Sequence, residues 1–212
     1  MGEIVIKISN LKKEVQGNVI LNNINLEFEK GKIYGLVGKN GSGKSMLFKS
    51  ICGLLKPSDG EIYILDKAIH KGELSKEIGV IIESPGFIPQ YSGMKNLKLL
   101  ASINNKISDE CIKEAIKIVG LDPEDKRPVG KYSLGMKERL GIAQAIMEKP
   151  KILVLDEPMN SLDEDGVNLV RELLLKLRNE GVTIILSSHY KEDIKILCDF
   201  VYTISNGTII EK

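Results

Sequence analysis

The feature that most constrains the fold is a glycine-rich octapeptide, Gly38-Lys39-Asn40-Gly41-Ser42-Gly43-Lys44-Ser45. It fits the pattern G-x-x-x-x-G-K-[ST] and stands between a short apolar run, 33–37, and a helical pattern that begins at Ser45. Glycines permit a tight loop whose backbone N–H groups point at an anion, and the helix that follows adds partial positive charge. We expect Lys44 to reach the β- and γ-phosphates of a nucleotide and the Ser45 hydroxyl to bind Mg²⁺. The sequence therefore predicts a phosphate-binding loop.

Apolar periodicity on both sides of this loop predicts an α/β core with a helical insertion. Strands are expected at 4–8, 26–28, 33–37, 61–65, 79–82, 152–155 and 182–186. A helix is expected at 45–55, and the helical period dominates from 84 to 147, where Ile112, Ala115, Ile116 and Val119 share one face. Asn206-Gly207 predicts a terminal hairpin. We expect the α/β core to comprise residues 1–83 and 140–212 and the helical subdomain to comprise 84–139.

An acidic pair, Asp156-Glu157, follows the predicted strand 152–155. The carboxyl end of a buried strand is the edge of the sheet where phosphates and magnesium bind. We expect Asp156 to hold Mg²⁺ through water and Glu157 to orient or deprotonate an attacking water. A solvated turn is the alternative for such a pair, but the phosphate loop upstream favours the catalytic interpretation.

Composition narrows the partners and the setting. Lys plus Arg number 30 and Asp plus Glu 29, so nucleic-acid binding through a net positive field is not expected. Cys52, Cys111 and Cys198 follow no metal-ligand spacing, and free thiols fit a reducing, cytosolic setting. No stretch reaches the roughly 20 apolar residues of a membrane span, and we expect no signal peptide. Any membrane role would require a partner.

With these motifs in place, the chain resembles the nucleotide-binding subunits of ATP-binding cassette (ABC) transporters over about residues 11–210. The resemblance implies a phosphate-loop NTPase core with a mixed sheet, an N-terminal antiparallel β part and an inserted helical subdomain. Its most specific element is Tyr132-Ser133-Leu134-Gly135-Met136, which is similar to the family signature Leu-Ser-Gly-Gly-Gln. In the family, this Ser and Gly bind the γ-phosphate held by the opposite subunit. Ser133 could equally cap the helix that follows, and the two roles are compatible.

Three further elements occur in the family's order. Asn160-Ser161-Leu162-Asp163 is similar to the loop that crosses the dimer interface, although Asp163 could instead simply cap a helix. Ser187-Ser188-His189 resembles the segment of the switch histidine, which implies that His189 contacts the γ-phosphate. His70 has no such surroundings and is expected at the surface. The segment that ends in Glu83 occupies the place of the family's glutamine loop, which reaches Mg²⁺.

The chain departs from the family pattern at several of these positions. Glu83 replaces the usual Gln, and a carboxylate can also bind Mg²⁺. Val15 falls where many members place an aromatic residue that stacks on adenine, so we expect weak discrimination between ATP and GTP. Met46 replaces the Thr that often follows Ser45 in the nucleotide site. Leu134 and Met136 replace a Gly and a Gln of the signature, a form that resembles exporters linked to bacitracin and lantibiotics.

The resemblance implies a working unit of two copies of this chain with two ATP molecules between them. The phosphate loop of one copy faces the signature of the other, and Mg²⁺ accompanies each ATP. A separate transmembrane permease subunit would be the second partner, and no nucleic acid is expected. The chain would then be cytoplasmic, peripheral on the inner face of the cell membrane. Two alternatives stay open: a soluble cassette ATPase without a transport role, and a nucleotide-binding regulatory module without turnover.

Overall fold

The computed structural model describes residues 2–69, 75–104 and 107–211, without the side chain of Glu211. The predicted surface position of His70 therefore lies outside the described residues. The elements follow the order β1 (Ile4–Val15), β2 (Asn18–Glu29), β3 (Ile33–Val37), α1 (Lys44–Ile51), β4 (Asp59–Ile64), β5 (Lys67–Ala68), β6 (Ile78–Ile81), α2 (Gly93–Asn104), α3 (Asp109–Ile118), α4 (Leu134–Ile146), β7 (Ile152–Asp156), α5 (Glu164–Asn179), β8 (Thr183–Ser187), α6 (Lys191–Leu197), β9 (Phe200–Ser205) and β10 (Thr208–Glu211).

The strands form two sheets. A four-stranded antiparallel sheet has the order β2-β1-β4-β5, and a six-stranded sheet has the order β10-β9-β3-β8-β7-β6. Strands β9, β3, β8, β7 and β6 of the larger sheet are parallel, and only β10 pairs antiparallel. The predicted mixed sheet with an N-terminal antiparallel part is confirmed. The helical segment between β6 and β7 holds α2, α3 and α4.

Strands β3, β6, β7 and β8 of the larger sheet are buried on both faces, because their successive residues enter two different apolar clusters. Leu153 and Leu155 of β7 pack with the helices α2 to α5, whereas Ile152 and Val154 pack against the antiparallel sheet and α1. Continuous apolar runs such as 152–155 are what such double burial requires. The sheet is therefore a rigid layer between two cores.

Helix α4 is continuous across the predicted boundary between residues 139 and 140. Its buried residues belong to the same cluster as residues of the central sheet. Gly79 of β6 lies so close to it that a Cβ there would stand 2.0 Å from the carbonyl oxygen of Ala145. The division into a core and a helical subdomain stays a prediction, and α4 belongs to both parts of it.

Two local expectations differ from the structure. Helix α1 ends at Ile51 rather than at residue 55, because Gly53 turns the chain with φ 73°. Helix α6 and strand β5 had no predicted counterpart. The hairpin at Asn206-Gly207 is confirmed, with φ values of 47° and 73° that match a two-residue turn. No helix of the described ranges is long and apolar enough to cross a membrane.

Candidate nucleotide site

The carboxyl ends of β3, β6, β7 and β8 bring the predicted phosphate and metal residues to one edge of the larger sheet. The loop after β3 joins α1, and the sheet order places β8 between β3 and β7. Parallel strands always end at the same edge, which is where ligands bind in open α/β sheets. The sequence therefore folds so that the loop 38–45 lies on the same side as the ends of β7 and β8.

The phosphate loop is tight and wraps around the stem of its lysine. Gly41 and Gly43 have φ values of 76° and 112°, which residues with a Cβ adopt rarely. Lys44 is only 8% exposed, and its Nζ donates to the carbonyl oxygens of Gly38 at 2.8 Å and Lys39 at 3.3 Å. Lys39 and Asn40 are exposed at the rim of the loop. The loop thus holds one ammonium group at its centre.

The loop is framed by the C-terminal hairpin. The backbone N–H of Gly207 donates to the carbonyl of Ser42 at 3.0 Å, and Asn22 of β2 donates to the carbonyl of Gly207 at 2.8 Å. A Cβ on Gly38 would lie 2.4 Å from the carbonyl oxygen of Ile204. The hairpin tip therefore joins the loop to the antiparallel sheet.

A buried hydroxyl in this loop lacks a partner. Among the described residues, Ser42 Oγ accepts and donates no hydrogen bond although it is buried. Leaving such a group unpaired costs about 1–3 kcal/mol, and buried polar groups are normally satisfied. Together with the inward lysine and the open glycine at position 41, this hydroxyl fits a loop that receives phosphate oxygens.

The metal side of the site consists of hydroxyl and carboxylate oxygens. Ser45 Oγ donates to Asp156 Oδ2 at 2.6 Å, and Ser187 Oγ donates to Asp156 Oδ1 at 2.6 Å. Mg²⁺ prefers such oxygens and usually binds through one or two carboxylates together with phosphates and water. No group of three or more acidic, His or Cys side chains suited to a metal occurs in the described part of the chain. The Ser45 hydroxyl and the Asp156 carboxylate fit a Mg²⁺ whose other ligands are phosphate and water oxygens.

Beside the metal ligands lies a carboxylate–imidazole pair. His189 Nε2 and Glu157 Oε1 are 2.6 Å apart, with side-chain exposures of 42% and 25%. Glu157 has φ 53°, a left-handed conformation that a residue with a side chain rarely adopts, and its N–H donates to Ser187 Oγ at 3.0 Å. Such strained residues concentrate at functional sites. The structure brings together Lys44, Ser45, Asp156, Glu157 and His189.

Glu83 follows the carboxyl end of β6 and carries an ion pair. Its Oε1 lies 2.6 Å from Nζ of Lys49, which stands one helical turn after Ser45 on α1. Glu83 also has a left-handed backbone, with φ 62°. The carboxylate is thus bonded to a lysine of α1 that the sequence reasoning did not single out.

The signature residues and Asp163 form a second group. Ser133 Oγ accepts from the N–H of Met136 at 3.1 Å, and Asp163 Oδ1 accepts from Gly166 at 3.0 Å, so each caps a helix. Gly135 faces the loop of Asp163, because its Cβ would lie 3.0 Å from the carbonyl oxygen of Ser161. In the described ranges, no hydrogen bond or ion pair joins Ser133, Gly135 or Asp163 to the phosphate loop.

Met46 and Val15 are two positions at which the chain departs from the family pattern, and the structure shows what surrounds each of them. Met46 is half-buried and packs against the core under the antiparallel sheet. Val15 ends β1 at the turn into β2 and is 40% exposed. An apolar side chain there offers a nucleotide base little area for stacking.

The sequence reasoning missed Ser187, whose hydroxyl bonds to both Asp156 and the backbone of Glu157. Its position carried a usable signal, because Asp156 and Ser187 end two neighbouring parallel strands in direct register. It also missed the contact of Gly207 with the loop, which joins residues far apart in the chain and has no local signature.

Comparison of the sequence with known proteins shows which family the chain resembles. Residues 21–160 match the sequence profile described as ABC transporter. The uncharacterised ABC transporter ATP-binding protein YybJ of Bacillus subtilis is 47% identical over 97% of this chain and 94% of its own length. The bacitracin transport ATP-binding protein BcrA of Enterococcus faecalis is 40% identical over 99% of this chain and 69% of its own length.

A third relative and a solved structure agree with these matches. The lantibiotic transport ATP-binding protein SrtF of Streptococcus pyogenes is 41% identical over 97% of this chain and 89% of its own length. The dimeric structure of MJ0796, a bacterial ABC transporter cassette, superimposes with a TM-score of 0.90 over 97% of both chains. Its sequence identity of 24% makes this a likeness of fold.

Proposed function

Since this chain belongs to the ABC transporter family, we propose that the residues gathered at the ends of β3, β7 and β8 bind Mg-ATP and hydrolyse it to drive a separate permease. The chain is an ATP-binding, ATP-hydrolysing subunit of an ABC transporter. The residue assignment rests on one observation. Two contacts of 2.6 Å lie beside the buried Lys44: one joins Ser45 to Asp156, and the other joins Glu157 to His189.

The phosphate loop supplies the binding energy and fixes the nucleotide. The residues that line it are Gly38, Lys39, Asn40, Gly41, Ser42, Gly43, Lys44, Ser45 and Met46. Backbone N–H groups of the loop and the N-terminus of α1 stabilise phosphate charge, and Lys44 neutralises it where it develops. Phosphoryl transfer needs mainly positioning and charge stabilisation, which a rigid loop of this kind provides.

Ser45 and Asp156 would hold Mg²⁺, and Glu83 is a further oxygen donor within reach of that region. The bound ion would neutralise charge on the β- and γ-phosphates. Ser187 keeps the Asp156 carboxylate oriented, since it occupies the oxygen that Ser45 leaves free.

Glu157 is the proposed general base and His189 its neighbour toward the γ-phosphate. A carboxylate can orient and deprotonate water if it lies within hydrogen-bond reach of it. In the described conformation the carboxylate is bonded to the imidazole of His189, which keeps both groups at the same point of the site. This pair favours an enzyme with turnover over a regulatory module that only binds.

A second copy of the chain completes the site in this proposal. No hydrogen bond or ion pair in the described part of the chain joins Ser133, Gly135 or Asp163 to the phosphate loop, and we propose that they serve a nucleotide bound by the opposite subunit. The capping bonds of Ser133 and Asp163 fix the helix ends that would face that nucleotide. Every required residue type occurs in this one chain, and a homodimer is therefore the simplest assembly.

Relatives named for bacitracin transport and lantibiotic transport support a permease partner, and they support our proposal that the cargo is a peptide antibiotic moved by export. A position at the inner face of the cell membrane, held by that permease, follows from this assignment. The transport names of these relatives count against a soluble cassette ATPase without a transport role.

The residue assignment is tested by two matched substitutions. Glu157→Gln preserves size and should keep ATP binding while it lowers turnover about 10²- to 10⁴-fold. Lys44→Ala should weaken ATP binding itself. The measurements are nucleotide affinity and steady-state hydrolysis of both variants. Normal hydrolysis by Glu157→Gln would show that this carboxylate is not the base.

The transport assignment is tested by co-purification. The gene is expressed with its genomic neighbours, membranes are solubilised, and the tagged chain is isolated with ATP present. Recovery of a polytopic membrane protein in stoichiometric amount supports the proposal. Recovery of the bare dimer from the same membranes would contradict it.

A further inference from the structure

The loop that carries His189 is anchored by a buried ion pair outside the nucleotide site. Arg171 of α5 donates from Nε and Nη2 to Asp193 Oδ1 of α6, at 2.9 and 2.5 Å. The side chain of Asp193 is 2% exposed and that of Arg171 is 15% exposed. The exposed carboxylate of Glu192 lies 3.7 Å from the same guanidinium and forms a second ion pair with it on the solvent side.

The second oxygen of Asp193 connects this pair to the histidine loop. Ser188 Oγ donates to Asp193 Oδ2 at 2.8 Å and accepts from the N–H of Tyr190 at 3.1 Å. One hydroxyl therefore bonds the residues on either side of His189 into a fixed turn. On the strand side, Ser187 is bonded to Asp156 and Glu157. His189 stands between these two sets of bonds.

Stability alone is a weak reason for a polar chain of this kind. The desolvation of a buried ion pair can equal or exceed its attraction, and apolar residues of similar volume often serve as well. What the buried pair supplies is a single geometry, because each oxygen of Asp193 has a defined donor. The element so fixed is the short segment 187–190, which holds the imidazole 2.6 Å from Glu157.

We infer that Arg171 and Asp193 are positioning residues that act through Ser188 to hold His189 at the catalytic carboxylate. The inference rests on the proposed function, in which Glu157 and His189 are catalytic. Helix α5, which carries Arg171, begins directly after Asp163. The ion pair therefore also links the histidine loop to the helix whose start is predicted to face the second subunit.

The experiment uses the full-length chain and separates positioning from stability. Arg171→Met leaves a buried carboxylate without its partner and should lower both the melting temperature and kcat. The double variant Arg171→Met/Asp193→Leu removes both charges, so the melting temperature should recover. Its kcat should stay low, because Ser188 has lost its acceptor. Misplacement of a catalytic group by about 1 Å costs on the order of 10²-fold, so we expect kcat to fall about ten- to a hundredfold and KM for ATP to stay within about twofold.

The matched control is Arg178→Gln on the same helix. Arg178 pairs with Asp199 at 3.4 Å, beyond the C-terminal end of α6, and no bond among the described residues joins it to the histidine loop. This variant should leave kcat unchanged. An equal loss of kcat in Arg178→Gln would show that any change in α5 has the effect and would overturn the inference.

A spectroscopic readout tests the position of the ring without turnover. The chain has two histidines, His70 and His189, so their ring NMR signals are separable and His189→Gln assigns them. Arg171→Met and the double variant should shift the His189 signals, and Arg178→Gln should not. Unmoved signals, or recovery of kcat together with stability in the double variant, would overturn the inference. If the wild type hydrolyses no ATP, the proposed function fails, and the ring signals still decide whether Arg171 positions His189.

Discussion

Replacement of Gly79 by alanine should destabilise the whole molecule, because the central sheet and α4 touch at this residue. A Cβ at position 79 would lie 2.0 Å from the carbonyl oxygen of Ala145 and 2.7 Å from Cδ2 of Leu153. The leucine side chain can move, but the carbonyl belongs to the backbone of α4. The helix must therefore shift away from β6 by more than 1 Å to restore ordinary contact.

The size of the effect follows from this contact. Overpacking of a well-packed core costs about 1–3 kcal/mol, and an obstructing backbone atom places Gly79→Ala near the upper end. Alanine also lowers the conformational entropy of the unfolded chain, which offsets about 0.4–1 kcal/mol of this loss of stability. The expected net loss is about 2 kcal/mol, which for a chain of this size lowers the melting temperature by about 4–8 °C.

Gly86→Ala is the control for the chemical change itself. Its Cβ would meet no described atom within 4 Å, and its backbone is not in the left-handed region. It should leave stability unchanged or raise it by about 0.5 kcal/mol. Because the chain lacks tryptophan, unfolding in urea is best followed by circular dichroism. If Gly79→Ala unfolds within about 0.5 kcal/mol of the wild type, the close contact between β6 and α4 is wrong.

Three further outcomes are expected from the site and its surroundings. Burial raises the pKa of Glu138 to about 7, above its ordinary value of 4.5, so the stability it contributes is lost as pH rises through 7. Glu138→Gln should raise the melting temperature at pH 8 and change it little at pH 5; an equal gain at both values would refute this cause. Val15→Tyr should tighten nucleotide binding by about 1 kcal/mol through base stacking, and the wild type should bind ATP and GTP alike in competition. Lys49→Gln breaks an exposed ion pair and should change the free energy of unfolding by less than about 1 kcal/mol, as urea denaturation will show.

The sequence predicted β3, β6, β7 and β8 of the central sheet because these strands are buried on both faces. A continuous apolar run such as 152–155 can be a buried strand or part of a buried helix. The phosphate loop upstream and the acidic pair directly after the run favour the strand. Helix α6 escaped prediction because it has seven residues and only Asp193 and Leu197 are buried, too few for a recognisable period. The bounds of strand β9 could not be predicted beyond its turn at Asn206-Gly207, because most of its residues are only partly buried, without strict alternation.

The parts of the candidate site that could be predicted are short motifs whose residue types and spacing point to one chemical role. The phosphate loop and the acidic pair are such cases, and the structure brings them together. Contacts between distant segments were not predictable, since Ser187 and the Arg171–Asp193 pair use common polar residues whose role depends on tertiary position. The pairing of Glu83 with Lys49 is of this kind, because the sequence predicted the carboxylate but not the lysine that holds it.

The bond between Gly207 and Ser42 has a consequence for the newly made protein. The hairpin tip that frames the phosphate loop is made about 165 residues after the loop itself. At synthesis rates of about 5–20 residues per second, that interval lasts on the order of 10–30 s. During this time the loop lacks the hairpin and the antiparallel sheet lacks the connection that it provides. The ability to hold ATP should therefore arise only after the hairpin tip at Gly207 has been made and has folded onto the loop.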